Sequence, residues 1–260
     1  MSREILQVSG LSMRFGGLLA VNGVALTVKE KQVVALIGPN GAGKTTVFNC
    51  LTGFYKPSGG TILLDGQPIQ GLAGHQIARK GVVRTFQNVR LFKEMTALEN
   101  LLIAQHRHLN TNFFAGLFKT PSFRRSEKEA MERAQYWLEK VNLTEFANRT
   151  AGTLAYGQQR RLEIARAMCT RPQIICLDEP AAGLNPQETE ALSAMIRLLR
   201  DEHDLTVVLI EHDMGMVMSI SDHIVVLDHG NVIAEGGPDA IRNDPKVIAA
   251  YLGADEEEVV

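Results

Sequence analysis

The 260-residue sequence predicts an α/β fold: a mostly parallel sheet of buried strands, preceded by short antiparallel strands and interrupted by a helical segment. Three observations predict it. Val33-Val34-Ala35-Leu36-Ile37, Ile174-Ile175-Cys176-Leu177 and Val207-Val208-Leu209-Ile210 are continuous apolar runs that end abruptly in polar groups, as strands buried on both faces do. Residues 5–30 instead alternate apolar and polar, the pattern of half-buried strands. Between about Asn88 and Met168 the periodicity turns helical. A chain of this length can bury one large core, or a core with a subdomain.

Taken in order, residues 5–30 carry Gly16-Gly17 and Asn22-Gly23, two turn signals that suit short antiparallel strands. Phe15 lies here; an aromatic at this place either stacks on a nucleotide base or packs on the sheet. The strand Val33 to Ile37 then runs into Gly38-Pro39-Asn40-Gly41-Ala42-Gly43-Lys44-Thr45, a P-loop. Gly38, Gly41 and Gly43 let the chain fold back so that successive N–H groups point inward. They form an anion nest, continued by the N-terminus of a helix expected from about Lys44 through Thr46 to Leu51. Lys44 brings a full charge to the β- and γ-phosphates, and the Thr45 hydroxyl is placed to ligate Mg²⁺.

Pro57-Ser58-Gly59-Gly60 predicts a turn into a strand from Thr61 to Asp65, followed by a short helix at 75–80 and a strand, Gly81 to Phe86, that stops at Gln87. In the helical segment, Ala97 to His106 and Arg124 to Val141 read as helices. Residues 110–118 place Phe113, Phe114 and Phe118 in a loop-like stretch, either folded on its own helices or exposed as a docking surface. His106 and His108 lack carboxylate or cysteine neighbours in sequence and read as a solvated helix end rather than a metal site. Leu154-Ala155-Tyr156-Gly157-Gln158-Gln159 precedes a helix from Arg160 to Met168, a second glycine-introduced helix start able to meet an anion.

Ligands of an open parallel sheet bind beyond the carboxyl ends of its strands, so the polar groups ending the three apolar runs converge on one site. Asp178 can reach the Mg²⁺ shell, directly or through a water. Glu179, one residue on, can orient or deprotonate the water that attacks the γ-phosphate. His212 can donate to that phosphate, and Gln87 can reach the metal or the attacking water from the junction with the helical segment.

Composition sets bounds. The formal net charge is −2 and the basic residues are spread along the chain, which argues against a nucleic-acid surface. Cys50, Cys169 and Cys176 lie in apolar-periodic segments and read as buried, reduced thiols. There is no charged and apolar leader and no apolar run near the ~20 residues needed to span a bilayer, so the chain is not expected to enter a membrane by itself. An Asn-Lys-x-Asp guanine motif does not occur, which argues against a P-loop GTPase.

The order of P-loop, Gln87, the 154–158 segment, Asp178-Glu179 and His212 resembles the ATP-binding subunit of an ABC transporter over essentially the whole chain. The resemblance implies one ABC ATPase domain at 1–253: a RecA-like P-loop NTPase core, an N-terminal antiparallel β subdomain and an inserted α-helical subdomain at about 88–168. The acidic tail 254–260 is expected to be disordered. It also implies ATP and Mg²⁺, with Gly38 to Thr46 around the phosphates, Phe15 under the base, Thr45, Gln87 and Asp178 at the metal, and Lys44, Gln87, Glu179 and His212 in catalysis. Two such subunits, self or paralogue, face each other head to tail, so that Ala155, Tyr156, Gly157 and Gln158 of one complete the site of the other. Two permeases and a periplasmic or extracellular substrate-binding protein are the implied partners, at the cytoplasmic face of the inner membrane.

Two positions depart from the family pattern. Ala155 and Tyr156 stand where Leu-Ser-Gly-Gly-Gln is usual, removing a hydroxyl, and Asn185 replaces an Asp. With Thr52-Gly53-Phe54-Tyr55-Lys56-Pro57, the run Val83 to Phe92 and the ending Asp244 to Gly253, this signature resembles the LivG type of branched-chain amino acid importers. A lipid exporter of similar architecture and a soluble, non-transport ABC ATPase are the alternatives.

Overall fold

The computed structural model describes residues 3–108 and 120–257, which form two units: one runs through Arg84 and resumes at Gln173, the other is Thr85–Pro172. The Phe-rich stretch 110–118 falls outside the described residues.

In the first unit, β1 (Glu4–Phe15) and β2 (Leu18–Lys29) pair antiparallel through the turn at Gly16-Gly17. The expected second turn at Asn22-Gly23 is not one. It lies inside β2 as a bulge, between the pairs Leu11–Val24 and Met13–Val21. The Gly23 N–H, out of the ladder there, donates to Ser12 Oγ at 3.0 Å, which makes the bulge self-sufficient without ending the strand. β4 (Gly59–Leu64) and β5 (Gln67–Pro68) extend this sheet in the order β2-β1-β4-β5.

The larger sheet joins β3 (Val33–Ile37), β6 (Val82–Arg84), β7 (Ile174–Asp178), β8 (Thr206–Ile210), β9 (His223–Asp228) and β10 (Asn231–Gly236) in the order β10-β9-β3-β8-β7-β6. All pairings are parallel except that of β10 with β9, two strands the sequence patterns did not single out. β3, β7 and β8 are buried at every residue, as their unbroken apolar runs require. Helix α1 (Lys44–Leu51) sets Val47, Phe48 and Leu51 into a core shared with Leu11 and Val21 of the small sheet and Leu36 and Val208 of the large one. That core anchors the loop preceding α1 on two sides.

The second unit is helical. After α2 (Gly74–Arg79) of the first unit come α3 (Ala97–Ala104), α4 (Pro121–Lys140) and α5 (Tyr156–Met168). Thr96 and Glu99 cap α3 reciprocally, Oγ1 taking the Glu99 N–H at 3.2 Å and the Glu99 carboxylate the Thr96 N–H at 2.8 Å. Helix α4 buries Ala130, Ala134, Trp137 and Leu138 on one stripe at helical spacing.

The first unit closes with α6 (Pro186–His203), α7 (Met214–Ile220), α8 (Pro238–Arg242) and α9 (Pro245–Glu257). Pro186 opens α6 behind the Asn185 cap. Helix α9 continues through Ala254–Glu257, where composition suggested a disordered tail; 258–260 are outside the described residues. Among the described residues no helix is long and apolar enough to cross a membrane.

Candidate nucleotide site

Because β3, β8 and β7 are neighbours, their carboxyl ends deliver Gly38, Glu211-His212 and Asp178-Glu179 side by side. The loop between β3 and α1 has no room for side chains at two glycines. A Cβ on Gly38 (φ +145°) would lie 2.0 Å from the Leu227 carbonyl oxygen, and one on Gly43 (φ +99°) 2.7 Å from that of Ala20. The turn between β9 and β10 stitches the loop down: the Gly230 N–H donates to Ala42 O at 3.0 Å, and the Asn22 N–H to Gly230 O at 2.8 Å. Lys44 curls back into this shell, its Nζ donating to Gly38 O at 2.7 Å and Pro39 O at 2.8 Å. Burial lowers the pKa of its ammonium, against the pull of the nearby Glu179 carboxylate.

Glu179 has the left-handed backbone angle φ +45°, which costs a non-glycine residue about 1–3 kcal/mol and is found where the surroundings enforce it. Here its N–H donates to Ile210 O at 2.9 Å, at the end of β8. The same turn aims its Oε1 at His212 Nε2, 3.0 Å away. Glu211, unassigned by the motif reading, is buried between them: its Oε1 accepts the Ala181 N–H at 2.6 Å, and its Oε2 accepts those of His212 at 2.9 Å and Asp213 at 3.3 Å. Burial pushes its carboxyl pKa up while the three N–H donors oppose that. The sequence signal was a carboxylate ending a fully apolar strand.

Asp178 is buried, and its Oδ2 is taken by Arg84 Nη2 of β6. Arg84 also donates to Asn49 Oδ1 at 2.6 Å and lies 5.7 Å from the Phe48 ring centroid and 5.6 Å from that of Phe54. The Asp178 carboxylate thus has a built-in cation, which no pattern in the sequence announced. Phe15 ends β1 partly exposed, its ring set edge-on to Tyr55 with centroids 5.3 Å apart.

The second unit holds Gln87 and the 155–158 segment. Its last helix starts at Tyr156, not Arg160, so Tyr156, Gly157 and Gln158 form the first turn rather than a leader to it. Ala155 has no side-chain oxygen to cap with; the Gln158 side chain instead reaches back, its Oε1 accepting the Ala155 N–H at 3.0 Å.

The donor set fits a nucleotide and a hard cation. The loop offers main-chain N–H groups and one lysine, and Thr45 and Asp178 offer oxygens, the ligands Mg²⁺ prefers when it is shared with phosphates. Among the described residues no three His, Cys, Asp or Glu gather as a self-sufficient metal cage.

Fold and site together define an ATP-binding cassette of the P-loop class. Residues 21–182 match the ABC transporter family model, and residues 231–257 match the model described as "Branched-chain amino acid ATP-binding cassette transporter". The chain is 77% identical over 253 residues to the high-affinity branched-chain amino acid transport ATP-binding protein BraF of Pseudomonas aeruginosa, covering 97% of this chain and 99% of that one. To LivG of Escherichia coli it is 64% identical, with the same coverage. The crystal structure of the ADP conformation of MJ1267, an ATP-binding cassette of an ABC transporter, superposes with a TM-score of 0.84 at 34% identity, over 97% of this chain and all of that one. The chain therefore belongs to the ABC transporter family, as an ATP-binding subunit of the LivG type.

Proposed function

We propose that this chain hydrolyses ATP to power uptake of leucine, isoleucine, valine or related amino acids through membrane permeases. The observation that carries the substrate class is the match of residues 231–257 to the branched-chain model, a segment outside the general ABC match at 21–182.

In this reading Lys44 and the main-chain N–H groups of the loop from Gly38 to Thr46, Pro39 aside, bind the β- and γ-phosphates, while Phe15 takes the base. Thr45, Asp178 and Gln87 would hold Mg²⁺, which when bound neutralises charge on the phosphate oxygens. Glu179 orients the attacking water and accepts its proton; His212, whose Nε2 is within hydrogen-bond reach of Glu179, holds that carboxylate and can turn the same N–H to the γ-phosphate. Ala155, Tyr156, Gly157 and Gln158 complete the site of a second ATPase subunit, self or paralogue, head to tail. The pair sits at the cytoplasmic face of the inner membrane against two permeases, fed by a periplasmic or extracellular binding protein.

Affinity purification of the tagged chain from detergent-solubilised membranes should bring down two integral membrane subunits. Vesicles carrying that complex should take up leucine on addition of ATP, and Lys44→Ala should abolish both nucleotide binding by calorimetry and uptake. Full ATP affinity in Lys44→Ala, or uptake blind to leucine, isoleucine and valine, overturns the reading.

A further inference from the structure

Tyr156 brings a phenol to the first turn of α5, and its hydroxyl is turned onto the same helix. It lies one helical turn along, 3.4 Å from Arg160 Nη2, with the guanidinium 5.9 Å from the ring centroid. Arg160 is fully buried, and its fork is spent on the segment carrying Gln87. Nη1 donates to Phe86 O at 2.7 Å and Nη2 to Gln87 O at 2.6 Å. The third partner is Glu163, at 3.0 Å from Nη1, whose other oxygen accepts the Arg90 N–H at 2.9 Å. These are short, charge-assisted bonds in a dry setting, and the rigid, planar guanidinium fork spans two carbonyls and a carboxylate that a point-like ammonium would not reach together.

We infer that Tyr156 and Arg160 are positioning residues that bind the first turn of α5 to the backbone of Phe86 to Arg90, so that the signature segment and the Gln87 loop move as one piece. The proposal rests on the reading above for one point, that residues 155–158 meet the partner subunit's nucleotide. Contact there, in trans, is then carried to Gln87 in the same subunit, with the Tyr156 hydroxyl taking a further bond from the buried Arg160 fork. A serine or glycine in the first turn could not reach that fork, so the unusual signature trades a hydroxyl at the partner's phosphate for a tie to its own Gln87 loop.

The test places a fluorophore on the Gln87 loop. Asn88 is exposed while all three native cysteines are buried, so an Asn88→Cys variant labels selectively. In the Glu179→Gln background, Mg²⁺ and ATP should produce a dimer by light scattering and shift the emission of the label. Adding Tyr156→Phe, which keeps the ring, should weaken that shift in the dimers that form, and Arg160→Lys, outside the trans segment, should abolish it with the dimer retained. An undiminished shift in both variants overturns the tie. Loss of the dimer in Tyr156→Phe overturns it too, making that hydroxyl part of the trans contact itself. If the Glu179→Gln parent forms no dimer with ATP, the failure belongs to the functional reading instead.

Discussion

Nε2 of His212 stands 3.0 Å from Oε1 of Glu179, joining two residues that are 33 apart in sequence and sit on adjacent strand ends. The pair gives each motif residue a partner within the chain. A carboxylate held by an imidazole is oriented, as the water-activating role proposed for Glu179 requires.

Glu179→Gln keeps the size of the side chain and removes the proposed base. Hydrolysis should fall by about 10²- to 10⁴-fold, the usual worth of a positioned general base. ATP affinity should persist, so phosphate release and equilibrium binding measured on one preparation separate the two effects. Wild-type turnover in this variant would reassign the base.

Glu211→Gln replaces an oxygen that faces N–H donors by an NH₂ group. One of the contacts to Ala181 or to His212 and Asp213 must then become donor against donor, costing about 1–3 kcal/mol. Urea unfolding should show that loss. Because the bond network holds the backbone of His212 rather than the nucleotide, kcat should fall while KM for ATP stays near its parent value.

Arg84→Met removes the cation beside Asp178 and leaves a buried carboxylate alone. Breaking a buried pair from one side costs about 3–5 kcal/mol, so the denaturation midpoint should drop sharply. Arg84→Met combined with Asp178→Asn should recover most of that stability in a double-mutant cycle, while leaving hydrolysis low.

The thiols predict the alkaline behaviour. Burial pushes Cys50 from the ordinary 9.0 up to about 11, and Cys169 and Cys176 up to about 12. With folded values above unfolded ones, their contribution is fully present below pH 9 and is lost as pH rises toward 11 and 12, by up to ~1.4 kcal/mol per pH unit for each thiol. Thermal midpoints between pH 8 and 10 should fall less in a variant with the three cysteines replaced by alanine or valine. Native protein at pH 8 should resist thiol alkylation until it is unfolded.

Much of the core was legible because strands buried on both faces leave unbroken apolar runs, and α1 falls where the P-loop chemistry demands a helix start. The Asn22-Gly23 pair misled because the same dipeptide serves a hairpin turn and a bulge, and only Ser12 across the ladder decides between them. β10 is hard to read because it is only half buried and carries little periodicity, whereas β9 has a short apolar run, Ile224–Leu227, of the kind that marks β8. The start of α5 was read four residues late, because Ala155 lacks the side chain that announces a helix cap.

What the sequence by itself determined is the chemistry on offer: a glycine loop with its lysine, a carboxylate pair after one apolar strand and a histidine after another, each legible because function there depends on local spacing. Which partner each buried charge meets was decided only by tertiary structure. Arg84 meets Asp178 across 94 residues, Arg160 meets Gln87 across 73, and Glu211 meets Ala181 across 30. Such partners are set by strand order and by the requirement that buried charge be paired, and neither leaves a period or a motif in the chain.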